Sequence, residues 1–434
     1  MNKRRASASF ILGTVAIDAL GFGLVIPVLP ELVHEVSGTP ISQTSFYVGL
    51  MFAVFSLMQF LSAPVLGGLS DRFGRRPVLL LSLAALGVNS LLWVWVHSLA
   101  WLFVMRVGAG LFSANVSTAT AYLADVTPPH QRARYFGLLG ATFGLGFVLG
   151  PVIGGLLGEV WIRLPFLACA ILSACNVLYG VIVLPESLPP ERRRRFDWRR
   201  ANAFGSLSTI MAERATRRLA FAWCCSWFAV SAQQTSFILA NQMRFAWSTF
   251  DNGLALALGG ATQILVQGVL VRRVIDRFGQ RITALVGYGF SVAGFLVYAF
   301  AASPWMMLIG IPVVGMGALA GPTVQSMLSV STSPTRQGEI QGALASVQGL
   351  TLVVGPLIMG SLFALATRPT AAEQFPGQFP GHFPIHFPGA PFLLAALSCL
   401  CAFLVLRGLN QAGAKAASDA GFESTALPEG RHSR

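Results

Sequence analysis

Two ionisable side chains interrupt otherwise apolar stretches of this chain, Asp18 and Arg106. Leaving either one unpaired in hydrocarbon costs at least ~2.5–3.5 kcal/mol, so each is expected to face a cavity or a partner. Thr14, Gly21 and Val25 share a helical face with Asp18. Gly110, Ser113 and Ser117 follow Arg106 at steps of four, three and four, a small and polar stripe down one side of a helix. Both a cavity wall and a tight helix contact read this way. A carboxyl group in a poorly solvated site holds its proton more tightly, and a nearby guanidinium loosens it. A site that alternates between wet and dry can therefore load and release a proton. The expected roles are proton carriage by Asp18 and adjustment of its affinity by Arg106; the competing reading is a static buried ion pair that fixes helix packing.

A second cluster reads Gly67-Gly68-Leu69-Ser70-Asp71-Arg72-Phe73-Gly74-Arg75-Arg76. Its glycines permit a tight turn between helices, and Ser70 or Asp71 can cap a helix or accept from an arginine. Asp125 completes an expected gate, a set of ion pairs that forms in one of two states; the plainer reading is a loop whose positive charge sets topology. No Gly-Lys-Ser/Thr follows these glycines, which excludes a phosphate-binding loop. HExxH is absent and no Gly-x-Ser-x-Gly stands in a credible setting, so no catalytic residue and no metal site is assigned. His382 and His386 lie in a loop, Gln374 to Gly389, that repeats Phe-Pro-Gly units. With no thiolate or carboxylate beside them they read as part of an extended low-complexity segment.

The surrounding elements must be membrane helices. Apolar residues are 54% of the 434 and charged ones 11%, against about 25% charged in soluble domains, and the mean hydropathy is +0.65. That excludes a soluble enzyme, a disordered chain and a nucleic-acid-binding domain. The six cysteines all lie in apolar runs and read as small core residues. Apolar runs place twelve helices near 8–30, 45–69, 77–98, 100–124, 133–158, 164–184, 219–240, 252–275, 282–302, 304–328, 337–366 and 390–408. Arginines concentrate in the even-numbered loops, including Arg72, Arg75, Arg76, Arg132, Arg134, Arg192 to Arg218, Arg272 to Arg281 and Arg336, whereas the odd loops hold Arg163, Arg244 and Arg368. The positive-inside rule then puts both termini in the cytoplasm, and the run at 192–200 reads as a linker against anionic lipid.

Segments recur at one shift. Asp71-Arg72-Phe73-Gly74-Arg75-Arg76 returns as Asp276-Arg277-Phe278-Gly279-Gln280-Arg281, Gly137 as Gly342, and Gly150-Pro151 as Gly355-Pro356, each 205 residues later. The expected fold is thus an all-α membrane protein of two pseudo-symmetric six-helix bundles: residues 1–184, a cytoplasmic basic linker at 185–218, residues 219–410, and a cytoplasmic tail at 411–434 read as disordered. Two facing bundles make a central cavity that rocking opens to either side. At the shift that would match Asp18 stands Trp223, and the polar residues of the second half are neutral: Gln233, Gln234, Gln263, Gln267, Gln325 and Gln348. Proton handling is expected in the first half, with substrate contact leaning on the second.

The loop Gly67, Asp71, Arg72, Gly74, Arg75, Arg76 resembles the G-x-x-x-D-R-x-G-R-R signature of the major facilitator superfamily. Gly146, Gly150, Pro151, Gly154 and Gly155 are similar to the G-x-x-x-G-P-x-x-G-G motif of its drug/proton antiporters, and Arg106 with Gly108 and Gly110 to its arginine motif. A resemblance to tetracycline/proton antiporters runs from Asp18-x-x-Gly21-x-Gly23-Leu24-x-x-Pro27-Val28-Leu29-Pro30 through Gln59-Phe60-x-Ser62-Ala63-Pro64 and Tyr122-x-Ala124-Asp125 to Arg336-Gln337-Gly338. The resemblance implies a bacterial inner-membrane protein that exports an amphipathic drug, tetracycline or another antibiotic, in exchange for protons, working as a monomer. No cofactor is implied beyond the coupling proton, although a divalent cation chelated by the substrate is compatible with it. Those antiporters carry further acids in spans three and nine and a histidine in span eight, where Asn89, Ser291 and Gln263 stand here; a cationic metal chelate is then a less suitable substrate. Gln59, Asn89, Ser113, Ser117, Gln233, Gln263 and Ser291 are the expected cavity residues. The alternative function is a proton-coupled importer or facilitator of a small metabolite.

Overall fold

The computed structural model describes residues 3–113, 115–128, 131–193, 214–330, 337–368 and 386–408. Arg336, His382 with the Phe-Pro-Gly units before it, most of the basic linker and the C-terminal tail lie outside the described residues. The chain opens with α1 (Lys3–Val25) and α2 (Leu29–Ser37), which meet at a 45° bend. A straight first span is expected from apolarity alone, but Pro27 and Pro30 cannot donate to the helical ladder and the axis turns there. Gly38 ends α2 in the left-handed conformation (φ 62°), its N–H bonded to His34 O at 3.0 Å. Then come α3 (Ile41–Phe73), α4 (Arg75–Trp93), α5 (Leu99–Leu111), α6 (Asn115–Val126), α7 (Arg132–Val160) and α8 (Leu164–Val183). The fourth span, continuous in expectation, is therefore divided between α5 and α6.

The second half comprises α9 (Arg214–Phe245), α10 (Thr249–Leu265), a π-helical turn (Val266–Leu270), α11 (Val271–Phe300), α12 (Pro304–Met316), a 3-10 turn (Gly317–Leu319), α13 (Ala320–Val330), α14 (Gln337–Ala366) and α15 (Ala390–Arg407). Side-chain caps fix several starts: Ser98 before α5, Ser303 before α12, and a reciprocal Ser248/Asp251 capping box before α10. Among the described residues eight stretches are by themselves long and apolar enough to cross a bilayer, and α1 with α2 makes a ninth. One of the eight, Thr249–Phe300, breaks at Gly279 (φ 78°, ψ 164°) and so serves as two passes. Adding α5 with α6 and the more polar α9, the helix order accommodates twelve.

The duplication is visible in three dimensions. Gly74 (φ 107°, ψ 158°) and Gly279 hold the same unusual backbone conformation one repeat apart. Helix neighbours repeat as well: α1 packs on α7 and α8 as α9 packs on α14 and α15, and α4 packs on α8 as α11 packs on α15. The halves meet along two seams, α3 against α14 and α7 against α10. A β-carbon at Gly49 would collide with Pro356 O, and one at Gly253 with Pro151 O; the next neighbours are Gly360 Cα and Gly155 Cα. These matched contacts lie 204 residues apart along α3 and α10, not 205. The π-helical turn at 266–270 accounts for the difference, because a π-bulge inserts one residue into an α-helix. Beyond it, from Asp276 on, the shift is 205.

Contacts between the halves are uneven along the bundle. At the end opposite Gly74 and Gly279, Ser45 Oγ donates to Gly360 O (3.1 Å), Thr249 Oγ1 to Glu31 Oε2 (2.7 Å) and Phe250 N to Glu159 Oε1 (3.3 Å). Nearest the basic end, the close approaches of glycines are Gly144 to Ile264 and Gly349 to Phe60, again one repeat apart. Gly144 lies about 18 Å from the start of α7 at 1.5 Å per residue, near its middle. Closer to the basic end, β-carbons at Gly67, Gly137, Gly140 and Gly268 would meet open space. Among the described residues, the bundle is closed at one end and parted at the basic end.

Candidate functional site

Arg106 is 6% exposed, on α5 about 10 Å from its start. It makes no ion pair with Asp18. Its guanidinium carbon sits over three rings: Trp93 at 5.3 Å, Phe52 at 5.4 Å and Phe55 at 5.8 Å. The α3–α5 approach that brings these rings near depends on Gly110, whose β-position is occupied by Met58 Cβ and Phe55 O. Ser62 Oγ (3.1 Å) and Ser113 Oγ (2.9 Å) both donate to Gly110 O. Trp93 is held from two sides. It stacks on Phe166 at 4.8 Å, and its indole N–H donates to Asn89 Oδ1 (3.2 Å), with the amide oriented so that Asn89 Nδ2 donates to Met105 O (3.0 Å). Each ring contributes about 0.5–2 kcal/mol of cation–π attraction, yet no acceptor receives the guanidinium N–H groups among the described residues, and Nε is fully buried. Asn89→Leu should free the indole and lower thermal stability by about 1–3 kcal/mol, the cost of one buried unmet donor; unchanged melting would show that Asn89 does not hold Trp93.

Asp18 is half-buried on α1, on the face turned to α8. One turn before it, Thr14 Oγ1 donates to Asn176 Oδ1 (3.1 Å); three residues after, Gly21 O accepts from Cys169 Sγ (3.2 Å). The Asp18 carboxylate lies within electrostatic reach of the Cys169 thiol. Phe22, one turn on, points elsewhere, to Phe147 (5.5 Å) and Phe55 (6.4 Å). The expected face of Thr14, Asp18 and Gly21 is thus formed, against α8.

The loop signature draws Asp125 in, as expected. Arg75 pairs with Asp71 (2.5 Å) and Asp125 (3.3 Å) and donates to the fully buried Ser70 Oγ (3.2 Å). Sequence reasoning missed the hub of this cluster, Glu186. Its carboxylate accepts from the backbone N–H groups of Arg75 (2.9 Å), Arg76 (3.3 Å), Ser187 (2.9 Å) and Leu188 (3.0 Å). An acid directly after Pro185, at the mouth of the basic linker, was the available signal. Arg76 also donates to Val181 O (2.7 Å), and Arg72 lies over Phe73. Every described partner belongs to the first half or to the start of the linker, so the cluster binds the α3–α4 turn to the ends of α6 and α8 and is formed while the basic end is parted. Gly74 has no room for a side chain: a β-carbon would strike the Glu186 carboxylate, and φ is positive. Gly74→Ala should therefore cost at least about 1 kcal/mol, read as a lower melting temperature, with Gly67→Ala, in open space, as the silent control.

The glycine motif of α7 uses two faces. Gly146, Gly150 and Gly154 receive the α1 backbone at Ala19, Gly23 and Leu24, while Gly155 and Pro151 O receive α10 at Phe250 and Gly253. It both packs the first half and forms a seam. The remaining expected residues divide. Gln59 lies at the α3–α5 contact, and Ser117, Gln233 and Gln263 are partly or fully accessible. Ser291 faces Gly317 of its own half, and Asn89 likewise binds a neighbour in its own half. Two of the odd-loop arginines are taken up structurally: Arg163 pairs with Glu35 (2.7 Å), and Arg244 donates to Tyr298 O and Ala299 O at the end of α11, while Arg368 is exposed.

Comparison with known proteins agrees with this architecture. The family model described as Major Facilitator Superfamily matches residues 11–275 and 262–429. The class C tetracycline resistance protein of Escherichia coli is 38% identical over 368 residues, covering 82% of this chain and 89% of that protein. The class G protein of Vibrio anguillarum is 34% identical, covering 83% and 91%. In structure, the human organic anion transporter MFSD10 superposes with a TM-score of 0.67 at 24% identity, over 94% of this chain and all of that one. The nucleoside transporter NupG gives 0.72 at 12%, over the same shares. With its duplicated bundles, its two glycine seams and a family match over nearly its whole length, this multi-pass membrane transporter belongs to the major facilitator superfamily.

Proposed function

We propose that the protein is a proton-coupled antiporter of the bacterial inner membrane that exports an amphipathic drug, tetracycline or another antibiotic, by alternating access. The observation that carries this reading is the half-buried Asp18 in a bundle parted at its arginine-rich end and closed at the other. With both termini in the cytoplasm, as the positive-inside rule directs, the parted end faces inward, where an exporter collects its cargo. The seams, α3 on α14 and α7 on α10, are then the closed outer gate, and inward-to-outward exchange exchanges them for contacts at the basic end. Asp18 carries the proton, and Arg106, the buried cation of the same half, acts on it through the field in a poorly polarisable interior. The Arg75–Glu186 cluster holds the inner ends of the first half as one rigid piece during that exchange. Tetracycline resistance proteins are the relatives at 31–38% identity, which supports a drug as cargo. Asn89 and Ser291 stand where those antiporters carry acids and Gln263 where they carry a histidine, which disfavours a cationic metal chelate as the cargo.

Expression in a drug-hypersensitive bacterium, with resistance profiled across antibiotic classes, tests the reading. Raised resistance to one class, together with drug-stimulated proton release from inside-out vesicles, is the expected result. Proton movement in the opposite sense, stimulated by a metabolite and with no resistance, would replace the exporter by an importer.

A further inference from the structure

We infer that the aromatic box around Arg106 is a binding subsite for a planar, delocalised oxyanion, a carboxylate or enolate, carried by the transported compound. The inference rests on the exporter reading for the identity of the cargo, but not for the existence of the site. Arg106 is buried and, among the described residues, meets no counter-charge: no described carboxylate pairs with it, and its Nε has no described partner. Buried arginines are normally matched by an acid, because desolvating an unpaired charge is costly. Here the matching element is missing while everything around it is held in place. Asn89 orients Trp93, Phe166 backs it, and Phe52 and Phe55 close the other sides.

The shape selects the ligand. The three rings that surround the guanidinium carbon carry no oxygen to accept its N–H bonds, so those donors call for an acceptor brought by a partner. An oxyanion with two oxygens accepts two of those bonds in parallel, and a flat aromatic body then lies against the ring walls. The position suits cargo capture. Arg106 lies toward the closed end of the bundle, beyond the parted half, and Phe55, half-buried, reaches Phe22 of α1. The first-half spans offer a buried positive charge here, and the acids of the second-half helices, Asp251, Asp276 and Glu339, stand in first turns or beside the break at Gly279. A cationic cargo would find its charge opposed at this position; an anionic one would find it met.

The probe is 9-anthracenecarboxylate, titrated by fluorescence anisotropy into the full-length protein in nanodiscs, against the uncharged carboxamide of the same shape. The wild type should bind the carboxylate at least tenfold more tightly. Arg106→Gln should erase that preference, and so should Phe52→Asp, which supplies the missing carboxylate with Arg106 in place. Arg218→Gln, a basic residue at the α9 start, should leave it intact. Because the two box variants act independently, one that fails to fold leaves the other decisive. Equal binding of carboxylate and carboxamide by the wild type overturns the inference, as does an undiminished preference in a folded box variant; the first is what a box filled only by water gives. Binding at equilibrium needs no proton gradient, so the outcomes separate. Charge preference without drug resistance removes the exporter reading alone, and resistance without charge preference removes the subsite alone.

Discussion

Asp18→Asn is expected to abolish proton-driven accumulation of drug in inside-out vesicles while leaving the protein folded and able to exchange drug down its own gradient. The carboxamide matches the carboxyl group in size, so the α1–α8 contact made by Thr14, Asn176, Gly21 and Cys169 should survive. What it cannot do is take up a proton. A single charge moving through 100 mV carries about 2.3 kcal/mol, which sustains roughly fiftyfold accumulation at about 1.4 kcal/mol per factor of ten. In the variant that ratio should fall to one. Asp18→Glu, which retains a titrating group, should keep part of it. Undiminished accumulation by Asp18→Asn would leave the protein without an energy-coupling residue in its first span.

The second large effect is expected at the seams. Gly49→Val and Gly253→Val each add atoms where Pro356 O and Pro151 O already stand, on the backbone of the opposite half. Overpacking of this kind costs about 1–3 kcal/mol, which the molecule can escape by parting the halves at that end. A cost of that size shifts an inward/outward equilibrium by roughly five- to more than a hundredfold. Transport should fall accordingly, with the melting temperature little changed. A cysteine introduced at Ser45 should become reactive to a membrane-impermeant thiol reagent. Gly150→Val differs in kind, because Gly150 meets Gly23 within one half. There the strain has no conformational escape, and loss of folded protein is expected. If Gly253→Val and Gly150→Val behaved alike, the seams would be ordinary packing and not a gate.

The glycine motif thereby gains a more definite reading than close packing alone. Gly146, Gly150 and Gly154 keep α7 fixed to α1, and Pro151 with Gly155 presents the opposite face to α10. One helix is both a member of its own bundle and the bearing surface for the other. The arginine-rich loop has the complementary job. Bound by Asp125 of the first half and by Glu186 at the start of the linker, it ties the α3–α4 turn down, which in the proposed cycle keeps that half rigid and confines motion to the seams.

Much of this was legible in the chain itself. Apolar runs, arginine placement and a constant shift of 205 define a duplicated membrane bundle, because hydrocarbon tolerates only self-satisfied helices and duplication preserves local chemistry. The Asp71–Arg75–Asp125 cluster was legible too, since its members flank short turns. The breaks were harder to see. The bend at Pro27, the interruption between α5 and α6, and the π-helical residue that resets the shift from 204 to 205 leave little mark on hydropathy.

The sequence by itself determined the architecture and the two buried charges, because burial in lipid is a property that each segment carries alone. Which groups those charges meet was decided only by the tertiary structure. Arg106 lies among Phe52, Phe55 and Trp93, not beside Asp18, and Glu186 rather than a residue of the other half anchors the basic loop. Such partnerships depend on helix rotation and close approach, set by glycines such as Gly110 whose neighbours in space are distant along the chain. The seams have the same origin: no local signal in Gly49 or Gly253 names the proline carbonyl that each one receives.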